Sequence, residues 1–234
     1  MAGPRELSVR AGSVPAMDSR AGGRGNDSRI AAALAHLAVS RGTDPVANGS
    51  EGRAVHPGLR RLFPGGLQSE VYTLSGAASV GLGLMVDGWC GVVGLPETGI
   101  EAARDWGVEL SRLVLVPDPG SWLETVAALI EGLDVVMAAA PASITAAAAQ
   151  RLVARLRDRG ATLVVQGDWP GAHARIGART LGWQGLGRGY GALESQRLEV
   201  TVTRHHSSRS VTLVRGDGGV VEVSEDAMAG GRRA

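Results

Sequence analysis

A glycine-spaced segment carries the most specific chemical pattern in this sequence. Residues 76–83 read Gly-Ala-Ala-Ser-Val-Gly-Leu-Gly and keep the glycine positions of a phosphate-binding loop, G-x-x-x-x-G-K-[ST]. Leu82 and Gly83 stand where that loop has its lysine and its serine or threonine. The lysine contacts the β- and γ-phosphates and the hydroxyl binds Mg²⁺, so both cation-handling groups of phosphoryl transfer are missing. The pattern predicts a degenerate phosphate loop.

No other residue can supply the missing ammonium group, because the chain contains no lysine. All 24 of its basic residues are arginines, and a guanidinium is too large for a lysine position unless the loop is rebuilt. We therefore expect no enzymatic activity and no cofactor. Gly76 and Gly81 are expected to be structural, in a tight turn between a strand and a helix.

Other residues with chemical potential form no recognisable pattern. Cys90 is the single cysteine and lies in an apolar stretch, which is typical of a core residue in a reducing compartment. His205 and His206 have no cysteine or acid at ligand spacing, so we expect no metal site. No serine lies in a G-x-S-x-G elbow, and a hydrolase triad therefore has no support.

Length and composition predict one α/β domain with tails. The 234 residues are 44% hydrophobic, enough for one substantial core. No apolar run approaches a membrane-spanning length and no signal-peptide pattern is present, so we expect a cytoplasmic protein. We expect a disordered leader at 1–26, a helix and linker at 27–55, the core at 56–223 and a disordered tail at 224–234.

Charge is segregated along the chain, although the net charge is only +1. Residues 61–150 carry three arginines against ten acids, whereas residues 151–234 carry thirteen against eight. An acidic middle disfavours a phosphate-attracting centre. The arginine-rich last third favours contact with nucleic acid or with an acidic protein surface, and ordinary solvated positions remain the alternative.

Apolar periodicity predicts alternating strands and helices through the middle of the chain. The predicted strands are 71–74, 89–94, 113–116, 134–140 and 162–166, and the predicted helices are 100–107, 121–130 and 143–159. Such alternation predicts a mostly parallel sheet with helices on both faces. Three later segments, 198–203, 211–215 and 220–223, alternate in the manner of antiparallel strands.

A glycine-rich stretch at 167–193 interrupts this alternation and predicts a long mobile loop. Arg175, Arg179 and Arg188 are its candidates for contacts with the phosphates of single-stranded DNA. Trp169 and Trp183 offer aromatic surfaces for base stacking. Alternatively, the two tryptophans simply anchor the loop to the core.

The order of several short motifs resembles the core of the bacterial RecA recombinase. These motifs are Leu-Phe-Pro-Gly-Gly-Leu at 62–67, the strand with its glycine segment, Leu-Pro-Glu at 95–97, Trp-Gly-Val at 106–108, Leu-Val-Leu-Val-Pro-Asp at 113–118 and Leu-Asp-Val-Val at 133–136. The resemblance covers roughly residues 56–215. It is nearest to the RecA-like accessory proteins of bacterial mutagenesis cassettes, the ImuA group, in the actinobacterial form called ImuA-prime. It implies an α/β, RecA-like P-loop core with a degenerate nucleotide loop and C-terminal antiparallel strands.

The resemblance also implies which site residues have changed. The recombinase aspartate that orders the Mg²⁺ shell falls on Ala139 or Ala140. Glu97 falls near the catalytic glutamate, but without a positioned phosphate it has nothing to act upon, and it reads equally as an acid near a helix N-terminus. Gln166 falls near a polar nucleotide-sensing residue, with a solvated strand end as its alternative.

The function that this resemblance implies is a non-catalytic adaptor in SOS-induced, error-prone translesion synthesis. Its implied partners are an ImuB-type Y-family polymerase homologue and, through it, an error-prone replicative-type polymerase and the sliding clamp. Arg197, Arg204, Arg209 and Arg215 lie on or beside the predicted C-terminal strands and are candidates for partner contacts through paired hydrogen bonds to carboxylates. A solvated sheet edge would carry the same arginines.

Two other functions remain open from the sequence. The arginines of the glycine-rich stretch favour single-stranded DNA binding or modulation of recombinase filaments. SulA-type proteins share the degenerate fold, which favours a cell-division inhibitor. Under the adaptor or DNA-binding hypotheses we expect association with the nucleoid after DNA damage.

Overall fold

The strands and helices follow the predicted alternation closely. The computed structural model describes residues 52–185, 193–205 and 207–223. The strands in these ranges are β1 Val71–Gly76, β2 Cys90–Val93, β3 Leu113–Val116, β4 Val135–Ala139, β5 Thr162–Gln166, β6 Ala174–Gln184, β7 Ser195–Arg204, β8 Ser207–Gly216 and β9 Gly219–Val223. The α-helices are α1 Ile100–Asp105, α2 Trp122–Ile130 and α3 Ala146–Arg159, and 3₁₀ segments lie at Pro57–Leu59, Ala78–Leu84 and Leu110–Arg112.

All nine of these strands belong to one sheet, in the order β3-β2-β4-β5-β1-β6-β7-β8-β9. The pairs from β3 through to β6 are parallel, and the pairs from β6 through to β9 are antiparallel. This topology confirms the predicted α/β class, with a mostly parallel central sheet and C-terminal antiparallel strands. Residues Val71 to Leu74 of β1 are buried, because this strand has a neighbour on each side and a packed layer on each face.

Two apolar layers sandwich the parallel part of the sheet. On one face α2 and α3 cover the sheet, and Leu129 and Leu156 pack there with Val136. On the other face the 3₁₀ segments and α1 supply Leu82 and Trp106. This second layer continues without a break onto β7 and β8, so the antiparallel strands share the core of the parallel half.

The prediction of a loop at 167–193 is wrong for residues 174–184, which form β6. Residues 174–178 of this strand pair in parallel with β1, and residues 175–184 pair in antiparallel with β7, so the ladder hydrogen bonds form despite its glycines. Its inward residues Ala174, Ile176 and Ala178 alternate with exposed Arg175 and Arg179, a period-two pattern that the glycine content obscured. Residues 186–192, including the predicted contact residue Arg188, lie outside the described residues.

Helix α3 begins later than predicted. Thr145, not Ser143, caps it, since the Thr145 hydroxyl accepts a hydrogen bond from the Ala148 amide at 3.2 Å. Gly160 ends the helix in the left-handed conformation, with φ of 65°.

Residues 52–55, assigned above to a linker, pack with the core instead. Val55 is buried, and Arg53 forms an isolated bridge with Leu67. The Arg53 guanidinium also reaches the Asp134 carboxylate at 2.9 Å, and that carboxylate accepts a bond from the Trp89 amide. The expected leader at 1–26, the rest of the N-terminal helix and linker, and the tail at 224–234 lie outside the described residues.

The helices in the described part of the chain are too short or too polar to cross a lipid bilayer.

Two glycines of the β1–β6 pair provide a matched test of this packing. At Gly76, with φ of 87°, an added Cβ would run into the Ala178 carbonyl, whereas at Gly177 it would meet nothing within 4 Å. We expect Gly76→Ala to lower the free energy of unfolding by roughly 2 to 5 kcal/mol. Gly177→Ala should change it by less than about 0.5 kcal/mol. Urea unfolding measures both, and equal effects would contradict the described pairing of β1 with β6.

Candidate functional site

The glycine segment follows β1, as the phosphate-loop pattern requires. The strand ends at Gly76, and the Ala77 amide donates to the Ala178 carbonyl of β6 at 2.9 Å. The chain then enters the 3₁₀ segment Ala78–Leu84, whose first turn has no side-chain cap. The predicted order of strand, glycine turn and helical segment is therefore present, although the helix is of the tighter 3₁₀ type.

The second half of this segment, residues 80–84, is buried, whereas Gly76 is exposed and residues 77–79 are half-buried. Leu82, at the lysine position, is fully buried in the core. A Cβ at Gly81 would run into the Met137 sulfur, and one at Gly83 would meet the Trp106 ring. Gly81 and Gly83 therefore allow close approach of the segment to β4 and α1, and the lysine position faces the interior of the protein.

Small residues occupy the second metal position at the carboxyl ends of β4 and β5. A Cβ at Gly94 would lie 3.4 Å from the Ala139 methyl, and one at Gly167 would lie 2.7 Å from the Ala140 methyl. The Trp122 indole N–H donates to the Ala139 carbonyl at 2.7 Å. The position thus offers methyl groups and an already engaged carbonyl where a hydrolase would place a carboxylate.

Two polar atoms remain at this edge of the sheet. Gln166 Oε1 and Thr98 Oγ1 are buried and make no hydrogen bond with any described residue. Glu97 is exposed in the turn that follows β2. Across the described ranges, no group of three or more His, Cys, Asp or Glu side chains is placed to hold a metal ion. The polar groups named at this edge are an amide oxygen, a hydroxyl and a carboxylate.

Cys90 is buried at the start of β2, as predicted for a core residue. Its thiol donates to the Met85 carbonyl at 3.2 Å. Burial, with a smaller contribution from the Asp134 carboxylate, raises the pKa of this thiol to about 12. The thiol is therefore protonated at neutral pH and does not serve as a nucleophile.

Two of the three arginines that were expected to form a DNA-binding loop lie instead on a strand, and the third, Arg188, is outside the described residues. Arg175 and Arg179 both project from β6, opposite Thr203 and Glu199 of β7. Arg179 forms an ion pair with the Glu199 carboxylate at 2.8 Å, whereas Arg175 is exposed and makes no ion pair with the described residues. Of the two tryptophans in the same stretch, Trp169 is buried and Trp183 is 49% exposed.

The four C-terminal arginines do not form one patch. Arg197 is on one face of the sheet, while Arg209 and Arg215 share a face of β8 with buried Val211 and Leu213. Arg209 and Arg215 are six residues apart on one strand, so about 20 Å separates them.

Arg204 is engaged with the turn that precedes β1. Its guanidinium donates to the Leu62 carbonyl at 2.9 Å and lies 5.1 Å from the centre of the Phe63 ring. These contacts hold the end of β7 against that turn.

A groove of about 420 Å³ lies where α1 meets the ends of β6, β7 and β8. Trp183 and Leu193 are about half exposed beside it, and Arg215 lines it together with the acids Glu101 and Asp105. Sequence reasoning missed Leu193 and the acids, because nothing in their spacing indicates that α1 and β8 meet.

A known protein family matches this chain over the parallel half of the molecule. Residues 61–171 match a family described as the MT3502 N-terminal domain. The chain is also 41% identical over 122 residues to the uncharacterized protein Rv3395c of Mycobacterium tuberculosis. That alignment covers 49% of this chain and 60% of the relative, so the chain is a homologue that spans about three fifths of that protein's length.

Among solved structures, the flagellar accessory protein FlaH of Methanocaldococcus jannaschii is similar, with 12% identity and a TM-score of 0.49. The similarity covers 74% of this chain and 97% of that one.

Restoring the missing lysine tests whether the glycine segment is closed. Since the Leu82 side chain is fully buried, we expect Leu82→Lys to lower the free energy of unfolding by about 3 kcal/mol or more. Leu82→Met, which keeps the volume and polarity, should cost less than about 1.5 kcal/mol. Urea unfolding and ATP hydrolysis are measured for both. A Leu82→Lys variant that is as stable as the parent and hydrolyses ATP would show that the segment opens to nucleotide.

Cys90 provides a probe of the core. With its pKa raised to about 12, the folded protein should not react with Ellman's reagent at pH 8, and reaction should begin only with unfolding. In urea the reaction should follow the unfolding curve, and Cys90→Ala should not react at all. Above the ordinary thiol pKa of 9.0 the unfolded chain ionises first, so stability should fall as pH rises from 9 towards 12. Rapid labelling in native buffer would contradict this account of β2.

Proposed function

We propose that this chain is a non-catalytic adaptor with a degenerate RecA-like core, which recruits an ImuB-type Y-family polymerase homologue for error-prone translesion synthesis. One observation carries the non-catalytic part. The side chain at the lysine position of the glycine segment, Leu82, is a fully buried core residue. No ammonium group is present at this position to hold a phosphate. Because protein interiors are close-packed, a change in the rotamer of Leu82 alone does not open the segment.

The second metal position supports the same conclusion independently. The strand that would carry a metal-ordering carboxylate ends at Ala139, whose carbonyl accepts the Trp122 indole N–H. Glu97 is present, but a general base accelerates phosphoryl transfer only when a phosphate and its cations are already positioned. The remaining groups are therefore insufficient for hydrolysis.

The adaptor surface that we favour is the groove between α1 and the ends of β6, β7 and β8. Exposed tryptophan and arginine side chains dominate the energetics of protein interfaces, and here Trp183 lies with Arg215 in a single groove. Leu193, which is 52% exposed, adds apolar area that folding leaves uncovered in the described structure. The identity of the partner, the polymerase homologue, comes from the sequence resemblance.

The alternative of DNA binding through a glycine-rich loop receives less support. Arg175 and Arg179 project from a paired strand, and Arg179 is already neutralised by Glu199. Arg175 is the one predicted loop arginine among the described residues that is exposed without an ion pair, which is a weak basis for a strand-gripping surface.

Substitution of two exposed leucines, one inside the groove and one outside it, tests whether partner binding depends on the groove or on exposed apolar surface in general. Leu193 lies in the groove, whereas Leu123 is 40% exposed on α2. We expect Leu193→Ala, and more strongly Trp183→Ala, to weaken binding of the polymerase homologue about tenfold, and Leu123→Ala to change it less than twofold. Titration of the polymerase homologue encoded in the same genome against purified full-length variants measures this.

Three results would count against the proposal. Binding that no groove variant weakens would place the adaptor surface elsewhere, and no binding by the parent chain would remove the adaptor function. ATP turnover by the parent protein above that of a heat-inactivated sample would contradict the non-catalytic assignment.

A further inference from the structure

A pocket at the amino end of β1 is lined by positively charged side chains and by no acidic ones. Its volume is about 290 Å³, and it lies between the turn before β1, the start of β6 and the hairpin that joins β7 to β8. The polar side chains that line it are Gln68, His173, Arg204, Ser207 and Arg209. None of its lining residues is acidic. The degenerate glycine segment follows the carboxyl end of β1, whereas this pocket lies by its amino end.

We propose that this pocket is an oxyanion site that binds a phosphate group. The inference goes beyond the adaptor function and does not depend on it. The residues that carry it are Arg204 and Arg209, whose two guanidinium groups border one pocket without a carboxylate between them.

The positive charge of the pocket is not neutralised within the described structure. Arg209 is exposed and forms no ion pair with the described residues. Arg204 is half-buried, and its contacts are with the Leu62 carbonyl and the Phe63 ring rather than with a carboxylate. The acid nearest in sequence to Gln68, Glu70, is paired with Arg157. A bound anion would therefore supply the counter-charge that the fold omits.

Further hydrogen-bond donors line the pocket from the turn before β1 and from the start of β8. Gln68 uses one amide N–H for the Gly65 carbonyl at 2.7 Å and keeps its second N–H. The Ser207 hydroxyl, now bonded to the Arg204 carbonyl at 3.2 Å, turns about its own bond to donate to a ligand. Donors from separate directions suit the tetrahedral set of oxygens in a phosphate better than the two coplanar oxygens of a carboxylate.

His173 gives the site a group that responds to anion entry. Its ring packs edge-on against Tyr72, with 5.3 Å between ring centres. Burial holds its pKa below the ordinary value, and the charges of Arg204, His205 and Arg157 act in the same direction against the opposing effect of Glu70. A lowered pKa favours the uncharged imidazole, and an anion bound beside it would favour uptake of a proton.

The phosphate group that binds in this pocket belongs either to the backbone of a nucleic-acid strand or to a phosphate monoester. Binding of a short thymidine oligonucleotide, with and without a terminal phosphate, is measured on the full-length protein at low salt. Inorganic phosphate and polyglutamate serve as competitors. The variant is Arg209→Gln, and the matched control is Arg112→Gln, which removes an equally exposed charge beside β3 at the far edge of the sheet.

We expect Arg209→Gln to weaken binding about tenfold and to lower the salt dependence by about one phosphate contact. Arg112→Gln should change binding less than twofold, and both variants should melt like the parent because both side chains are exposed. Binding of the oligonucleotide without a terminal phosphate would identify a strand backbone. Binding only with it, reversed by inorganic phosphate, would identify a monoester.

Three outcomes would overturn the site. The first is that neither form of the oligonucleotide binds. The second is that the two arginine variants weaken binding equally. The third is that polyglutamate binds at the pocket while inorganic phosphate does not compete.

Discussion

The passage of the chain out of β1 is the constraint on which the rest of the structure depends. At Gly76 the backbone turns with a positive φ directly against the Ala178 carbonyl of β6, where a side chain has no room. Gly81 and Gly83 then let the next segment press against Met137 and Trp106. One stretch of eight residues thereby joins the central strand to β6, to β4 and to α1. These glycines have a packing role that is sufficient to explain them without any phosphate.

That packing has a consequence for chemistry. A working phosphate loop leaves its backbone amides and lysine exposed to a ligand, whereas here residues 80–84 of the corresponding segment are buried and Leu82 is part of the core. The carboxyl edge retains unpaired polar atoms on Gln166 and Thr98 but has only methyl groups at Ala139 and Ala140.

The sequence predicts the parallel half well and the antiparallel half less well, for physical reasons. Strands β3 and β5 have the predicted bounds, because short runs rich in valine and leucine are bounded by breakers there. Strand β6 was missed because two of its inward residues, Ala174 and Ala178, are small and because its parallel partner β1 lies far earlier in the chain, so tertiary pairing overrides a glycine-rich composition. At the site, the loss of the lysine is visible in the sequence. The burial of Leu82 cannot be predicted from the sequence, because the same glycine spacing suits both a loop that binds phosphate and a segment that packs closely against its neighbours.

The family match ends at Gly171, three residues before β6, so the antiparallel strands lie beyond the recognised segment. Both proposed binding surfaces lie where those strands meet the parallel half. The groove joins α1 to β6, β7 and β8, and the oxyanion pocket joins the turn before β1 to the β7–β8 hairpin. Because one apolar layer runs from the parallel half onto Leu198 and Leu213, the two halves pack as one core beneath these surfaces. Pre-formed geometry lowers the entropic cost of binding, so the selectivity of this protein is expected to lie in its antiparallel strands rather than in its degenerate loop.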